Sequence, residues 1–80
     1  MKRVKLRYFA VLRERRGLSE EWLDTDLTTA GQLVRFLIAE HRLGLPDALI
    51  RVAVANEFVG PDYHLVDRDE IVLVPPVAGG

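Results

Sequence analysis

Between Thr29 and His41 the chain carries one pattern that an α-helix satisfies and a strand does not. Ala30, Leu33, Val34, Leu37 and Ile38 recur at i, i+3, i+4, i+7 and i+8, with His41 one turn further on the same face. Thr29, with Gln32 three residues on, has the spacing of a capping box, and Arg42 and Gly44 close the segment. This is the main helix, and its apolar stripe must be covered by whatever the rest of the chain forms.

The rest reads mostly as strands. Val4 to Phe9 alternates apolar and basic residues, putting Val4, Leu6 and Tyr8 on one face and leaving Phe9 on the polar one. Ala10 to Arg16 is rich in helix formers and stops at Gly17, which predicts a short helix with a left-handed glycine cap. Leu18 to Asp24 is a strand candidate with imperfect alternation, because Trp22 and Leu23 are adjacent. Arg51 to Ala55 reads as a strand, Asn56-Glu57 as a turn, and Phe58-Val59 as a short strand before Gly60-Pro61. Glu70 to Val74 is the last strand. A helix laid across one face of a mixed sheet is the α+β solution for this order, although the order alone leaves the sheet topology open.

Size and composition set the class of partner. Eighty residues make a single domain with one modest core. No Cys is present, which removes a disulfide framework, a thiol nucleophile and a cysteine metal site. The formal charge of −1 lacks the positive field that drives nucleic-acid binding, so no nucleic acid is expected as a partner. No run of about 18 apolar residues is available to span a membrane, and Lys2, Arg3, Lys5 and Arg7 interrupt the N-terminal segment. These features predict a soluble, cytoplasmic protein without a membrane partner.

Residues 1–74 are therefore read as the domain and residues 75–80 as an extended, flexible tail. Pro75 and Pro76 end regular hydrogen bonding, since proline has no N–H and a fixed φ. The tail Pro75-Pro76-Val77-Ala78-Gly79-Gly80 reaches about 20 Å when extended. Two terminal glycines, lacking Cβ atoms, suit a narrow channel in another protein. They present the carboxylate of Gly80, which a partner could activate as a mixed anhydride with AMP; no glycine-rich phosphate loop lies in the chain, so ATP is expected on the partner. Chance gives a glycine pair at a fixed place in roughly one chain in 200 at ordinary glycine usage.

Phe9-Ala10, the run Leu65-Val66-Asp67-Arg68-Asp69-Glu70-Ile71 and the ending Val74-Pro75-Pro76-Val77-Ala78-Gly79-Gly80 together make the chain resemble the small subunits of molybdopterin synthases, within the ubiquitin-like sulfur carriers. The likeness spans essentially the whole chain. Its most specific part is the Pro-Pro-Val-x-Gly-Gly ending, because other sulfur carriers share the glycines but usually lack the paired prolines. The resemblance implies a β-grasp fold and adenylation of Gly80 by an adenylyltransferase similar to ubiquitin-activating enzymes. It implies a sulfur donor such as a cysteine desulfurase or rhodanese, and a thiocarboxylate at Gly80. It further implies insertion of the tail into a large subunit, in a heterotetramer with two copies of each subunit. There sulfur passes to a cyclic pyranopterin monophosphate, with the catalytic side chains on the large subunit and no cofactor bound by this chain.

In a β-grasp sheet the first and last strands are neighbours. If Ile71 and Leu73 face the helix, Val72 and Val74 face outward beside Phe9, and the three predict an apolar docking patch at the root of the tail. His41 and His64 are read as structural or surface residues, Arg13, Arg15 and Arg16 as a solvated basic face, and Glu20-Glu21 and Asp67-Asp69-Glu70 as solvated turn residues. Alternative acceptors for the sulfur are thiamine thiazole synthesis and tRNA thiolation. A ubiquitin-like modifier that joins Gly80 to lysines, or a binding module with an idle tail, also fits the same residues.

Overall fold

The computed structural model describes residues 1–76. Its elements are Lys2–Tyr8 (β1), Ala10–Arg16 (α1), Glu20–Thr25 (β2), Ala30–His41 (α2), Arg51–Val54 (β3), Glu57–Val59 (β4) and Glu70–Val74 (β5), with a 3₁₀ turn at Asp47–Leu49 before β3. The five strands form one mixed sheet in the order β2-β1-β5-β3-β4. β1 and β5 run parallel at its centre, and the other pairings are antiparallel.

One face of the sheet is the core. Val4, Leu6 and Tyr8 of β1, Val52 of β3, and Ile71 and Leu73 of β5 point to it and are buried, as are Leu33, Val34 and Leu37 of α2. Burying one such leucine is worth about 1.5–3 kcal/mol, so the stripe of α2 is a main contributor to holding helix on sheet. Leu12 adds α1 to the same cluster. The capping box is formed: Thr29 Oγ1 accepts from the Gln32 N–H, and the Gln32 side chain accepts from the Thr29 N–H. The other free donors of the first turn are taken by the loop after β4, Ala30 N–H by the Tyr63 carbonyl and Gly31 N–H by that of Pro61.

Several boundaries differ from the sequence reading. β1 stops at Tyr8, and Phe9 leaves the sheet as the residue before α1, because Ala10 takes a left-handed φ of 51° and turns the chain. β2 begins at Glu20, and its uneven alternation resolves into Trp22 facing outward and half exposed while Leu23 packs partly against the core. β3 stops at Val54, since Ala55 and Asn56 both have positive φ (53° and 67°), as a tight turn between antiparallel strands requires. The turn at Asp47–Leu49 follows Pro46, whose carbonyl accepts the Leu49 N–H; a proline at a loop gave no periodic signal for it.

Candidate functional site

β5 brings the chain to its C-terminal end. It is the middle strand of five and leaves the sheet after Val74, where Pro75 is buried and Pro76 exposed. Val77, Ala78, Gly79 and Gly80 lie outside the described residues. The site that can be built is therefore the root of the tail and the sheet face around it.

That face follows from the pairing. Residues opposite one another in a sheet share a face, and the register aligns Glu20 with Arg7, Arg7 with Val72, Val72 with Ala53, and Ala53 with Phe58. One row thus crosses all five strands on the side away from α2. A second row begins at the tail: Val74 pairs with Arg51, and Phe9 and Val74 each lie one residue beyond the Tyr8–Leu73 pair. Phe9 is 41% exposed and Phe58 54%, while Val72 and Val74 are half-buried beside them. The three residues read from the sequence as a patch, Phe9, Val72 and Val74, thus share one region. Phe58, Ala53 and Arg51 extend it. The alternation of the short strand Glu57–Val59 was a signal for Phe58, but only the β3–β4 pairing carries it to Val72.

The charges on this face are sorted by side. Toward β2, Lys5 pairs with Glu20 at 3.6 Å, Arg7 reaches Glu20 at 3.9 Å and Glu70 at 3.5 Å, and Arg3 holds Asp24 at 2.9 Å. The Arg3 hydrogen bond and charge keep the Asp24 carboxyl below its usual range. Arginines also lie on rings: the Arg7 guanidinium, from β1, stands 5.5 Å from the Phe9 centroid, and toward β4 that of Arg51 stands 3.8 Å from the Phe58 centroid. The root of the tail therefore emerges beside apolar rings carrying cationic planes.

The polar residues set aside in the sequence have structural work. Glu21, read as solvated, accepts from the Tyr8 hydroxyl at 2.6 Å and from Arg16 at 2.9 and 2.8 Å. Arg16 holds its carboxyl below the ordinary range, and burial with the Glu21 contact pushes the Tyr8 hydroxyl up. Arg15, also read as solvated, donates to the Leu43 carbonyl at 2.7 Å. Asp69 does form a turn, accepting from Val66 N–H and the Tyr63 hydroxyl, and Asp67 accepts from the Arg3 N–H at 2.8 Å. His64 bridges to Thr29 along the backbone. On the helix side, a cleft of about 400 Å³ between α2 and β3–β4 has Val34, Val52, Val59 and Pro61 on its walls and an Arg35–Asp47 pair at 3.5 Å. It pairs no acid with a nucleophile. Among the described residues no group of His or carboxylates is placed to hold a metal, and no helix is long and apolar enough to cross a membrane.

A helix across a five-stranded mixed sheet, with parallel first and last strands at the centre and a tail leaving the last, defines a ubiquitin-like β-grasp protein. The chain belongs to the ThiS family, whose model matches residues 6–80. It is 32% identical over 80 residues to the molybdopterin synthase sulfur carrier subunit of Escherichia coli (strain K12), covering 96% of this chain and 99% of that one. In structure it resembles SAMP1, a small archaeal modifier protein of Haloferax volcanii, at a TM-score of 0.78 and 26% identity, over 98% of this chain and 99% of that one. A chain of the protein–protein complex of subunits 1 and 2 of the molybdopterin-converting factor from Helicobacter pylori 26695 shares the fold at a TM-score of 0.68 and 23% identity, over 98% and 99% of the two chains. The resemblance and the β-grasp fold read from the sequence both hold.

Proposed function

We propose that this chain is the sulfur carrier subunit of a molybdopterin synthase and that its working group is the carboxylate of Gly80. The observation that carries the reading is the likeness to the Escherichia coli sulfur carrier subunit, which runs almost end to end in both chains. A carboxylate oxygen of Gly80 attacks the α-phosphorus of ATP on a ubiquitin-activating-like adenylyltransferase, and pyrophosphate leaves. The terminal persulfide sulfur of a cysteine desulfurase or rhodanese then attacks the acyl carbon and AMP leaves; a thiol reductant attacks the donor-side sulfur of the resulting acyl disulfide, which releases the thiocarboxylate and leaves a disulfide between reductant and donor. Pro75 to Gly80 enter the large subunit, in a heterotetramer, and sulfur passes to the cyclic pyranopterin monophosphate. The carboxylate is regenerated and the carrier recycled. Activation consumes ATP, and this reading takes the carrier to be cytoplasmic.

The sheet face supplies the docking surface in this reading. Phe9, Val72 and Val74, extended by Phe58, sit at the tail root, so one surface can seat the activating enzyme and the large subunit in turn. Reconstitution tests the function. Thiocarboxylated chain, large subunit and pterin precursor should give molybdopterin in proportion to the carrier added, and a chain lacking Gly80 should give none. Consumption of the thiocarboxylate without pterin sulfuration would contradict the assignment.

The likeness to SAMP1 favours one second reading, a modifier whose Gly80 joins lysines of other proteins. It predicts branched peptides bearing the carrier's C-terminal residues in digests of cells that express a tagged chain.

A further inference from the structure

The strands carry Arg3, Lys5, Arg7 and Arg51 on the sheet face away from α2, and three of these cations are neutralised within the molecule. Arg3 holds Asp24 at 2.9 Å, Lys5 holds Glu20 at 3.6 Å, and Arg7 lies between Glu20 at 3.9 Å and Glu70 at 3.5 Å. Arg51 differs. It is exposed, and among the described residues no carboxylate pairs with it. A ring holds it instead: its guanidinium stands 3.8 Å from the centroid of Phe58, which is itself 54% exposed. The register explains the contact. Ala53 pairs with Phe58, and Arg51 lies two residues before Ala53 on the same face, so Arg51 and Phe58 are diagonal neighbours within reach of long side chains.

Two physical consequences follow for a protein that docks here. A guanidinium over a ring still has its N–H groups at its edge, in the fork that matches a carboxylate with two parallel hydrogen bonds. A partner that covers Val72, Val74 and Phe58 also takes Arg51 out of water, and an unpaired cation taken out of water is costly. The covering surface therefore has to bring an anion to this point.

We propose that Arg51, held over Phe58, is a specificity determinant of the docking face and pairs with a carboxylate side chain of the large subunit. The inference rests on the reading of this chain as that subunit's partner. Arg51 stands opposite Val74, the last residue of β5, so the acidic side chain belongs beside the point where the chain leaves the sheet. Apolar contact is non-directional, whereas the fork fixes how the partner is turned on the patch.

Calorimetric titration of the full chain against the large subunit across a salt series tests this, with Tm showing that each variant is folded. Arg51→Gln should bind at least about ten-fold more weakly at low salt and with a shallower salt dependence than wild type. Arg51→Lys, which keeps the charge but not the fork, should restore the salt dependence and only part of the affinity. Phe58→Leu should also weaken binding, and should do so much less in the Arg51→Gln background, because the ring acts through the guanidinium. Wild-type affinity and salt dependence in Arg51→Gln would overturn the proposal. So would an equal loss at every salt concentration, which would reduce Arg51 to an apolar contact. A defect confined to the activating enzyme would overturn the choice of partner, as would self-association of the wild-type chain that the substitution abolishes. A wild-type chain that does not bind the large subunit would remove the functional reading itself, and this inference with it.

Discussion

At the scale of single residues, Glu21 shows what a linear pattern conceals. Its neighbours suggest a solvated turn, yet it joins β2 to Tyr8 on β1 and Arg16 on α1. Arg16 and Tyr8 favour its charged form, so the folded protein binds a proton at Glu21 more weakly than the unfolded chain does. The contribution is therefore present above the ordinary carboxylate range and fades as pH falls through the depressed value. Glu21→Gln should cost about 1–2 kcal/mol at neutral pH and flatten the acid limb of stability. Urea denaturation across neutral and acidic pH checks both; an acid limb as steep as that of wild type would refute it. The residue could not be found by periodicity, because its partners lie 13 positions before it and on the far side of a helix–strand turn.

Among the elements, α2 and β5 were legible because each carries a complete local signal: stripe and capping box for the helix, a continuous apolar run for the strand. Ends were less so. Phe9 continues the alternation of β1 but is taken out of the sheet by the turn at Ala10, whose left-handed conformation no side-chain pattern announces. The sequence reading closes α2 with Arg42 and Gly44; Arg42 is the cap, with a left-handed φ of 51°, and Gly44 turns the loop two residues on. Gly44 has a φ of 73°, and a Cβ there would stand 2.6 Å from the Arg15 guanidinium that ties α1 to the Leu43 carbonyl. Gly44→Ala should destabilise by about 1–2 kcal/mol, lowering Tm by roughly 4–8 °C per kcal/mol in a domain of this size. An unchanged melting curve would mean that Arg15 does not anchor that loop.

For the whole molecule, sheet order was beyond the sequence itself and came through family resemblance. The central pairing joins Arg7 to Val72, residues 65 positions apart, and nothing local specifies it. The same pairing gathers the docking face, so Phe9, Val72 and Val74 were legible as a patch while Phe58 and Arg51 were not. If this face seats the large subunit, Phe9→Asp should weaken that complex by at least ten-fold, about 1.4 kcal/mol, with little change in Tm because the ring is already partly in water. Titration by calorimetry against the large subunit reads the affinity, and full affinity would remove the face from the interface. The proposed sulfur transfer depends most on Gly80 itself. The measurement is the intact mass of the chain after incubation with ATP, a sulfur donor and its activating enzyme, followed by alkylation to separate a thiocarboxylate from oxidised Met1. An alkylatable gain of one sulfur for one oxygen, lost when Gly80 is deleted, is the predicted result. An unmodified chain with an enzyme of proven activity would contradict the claim that the carboxylate at Gly80 carries sulfur.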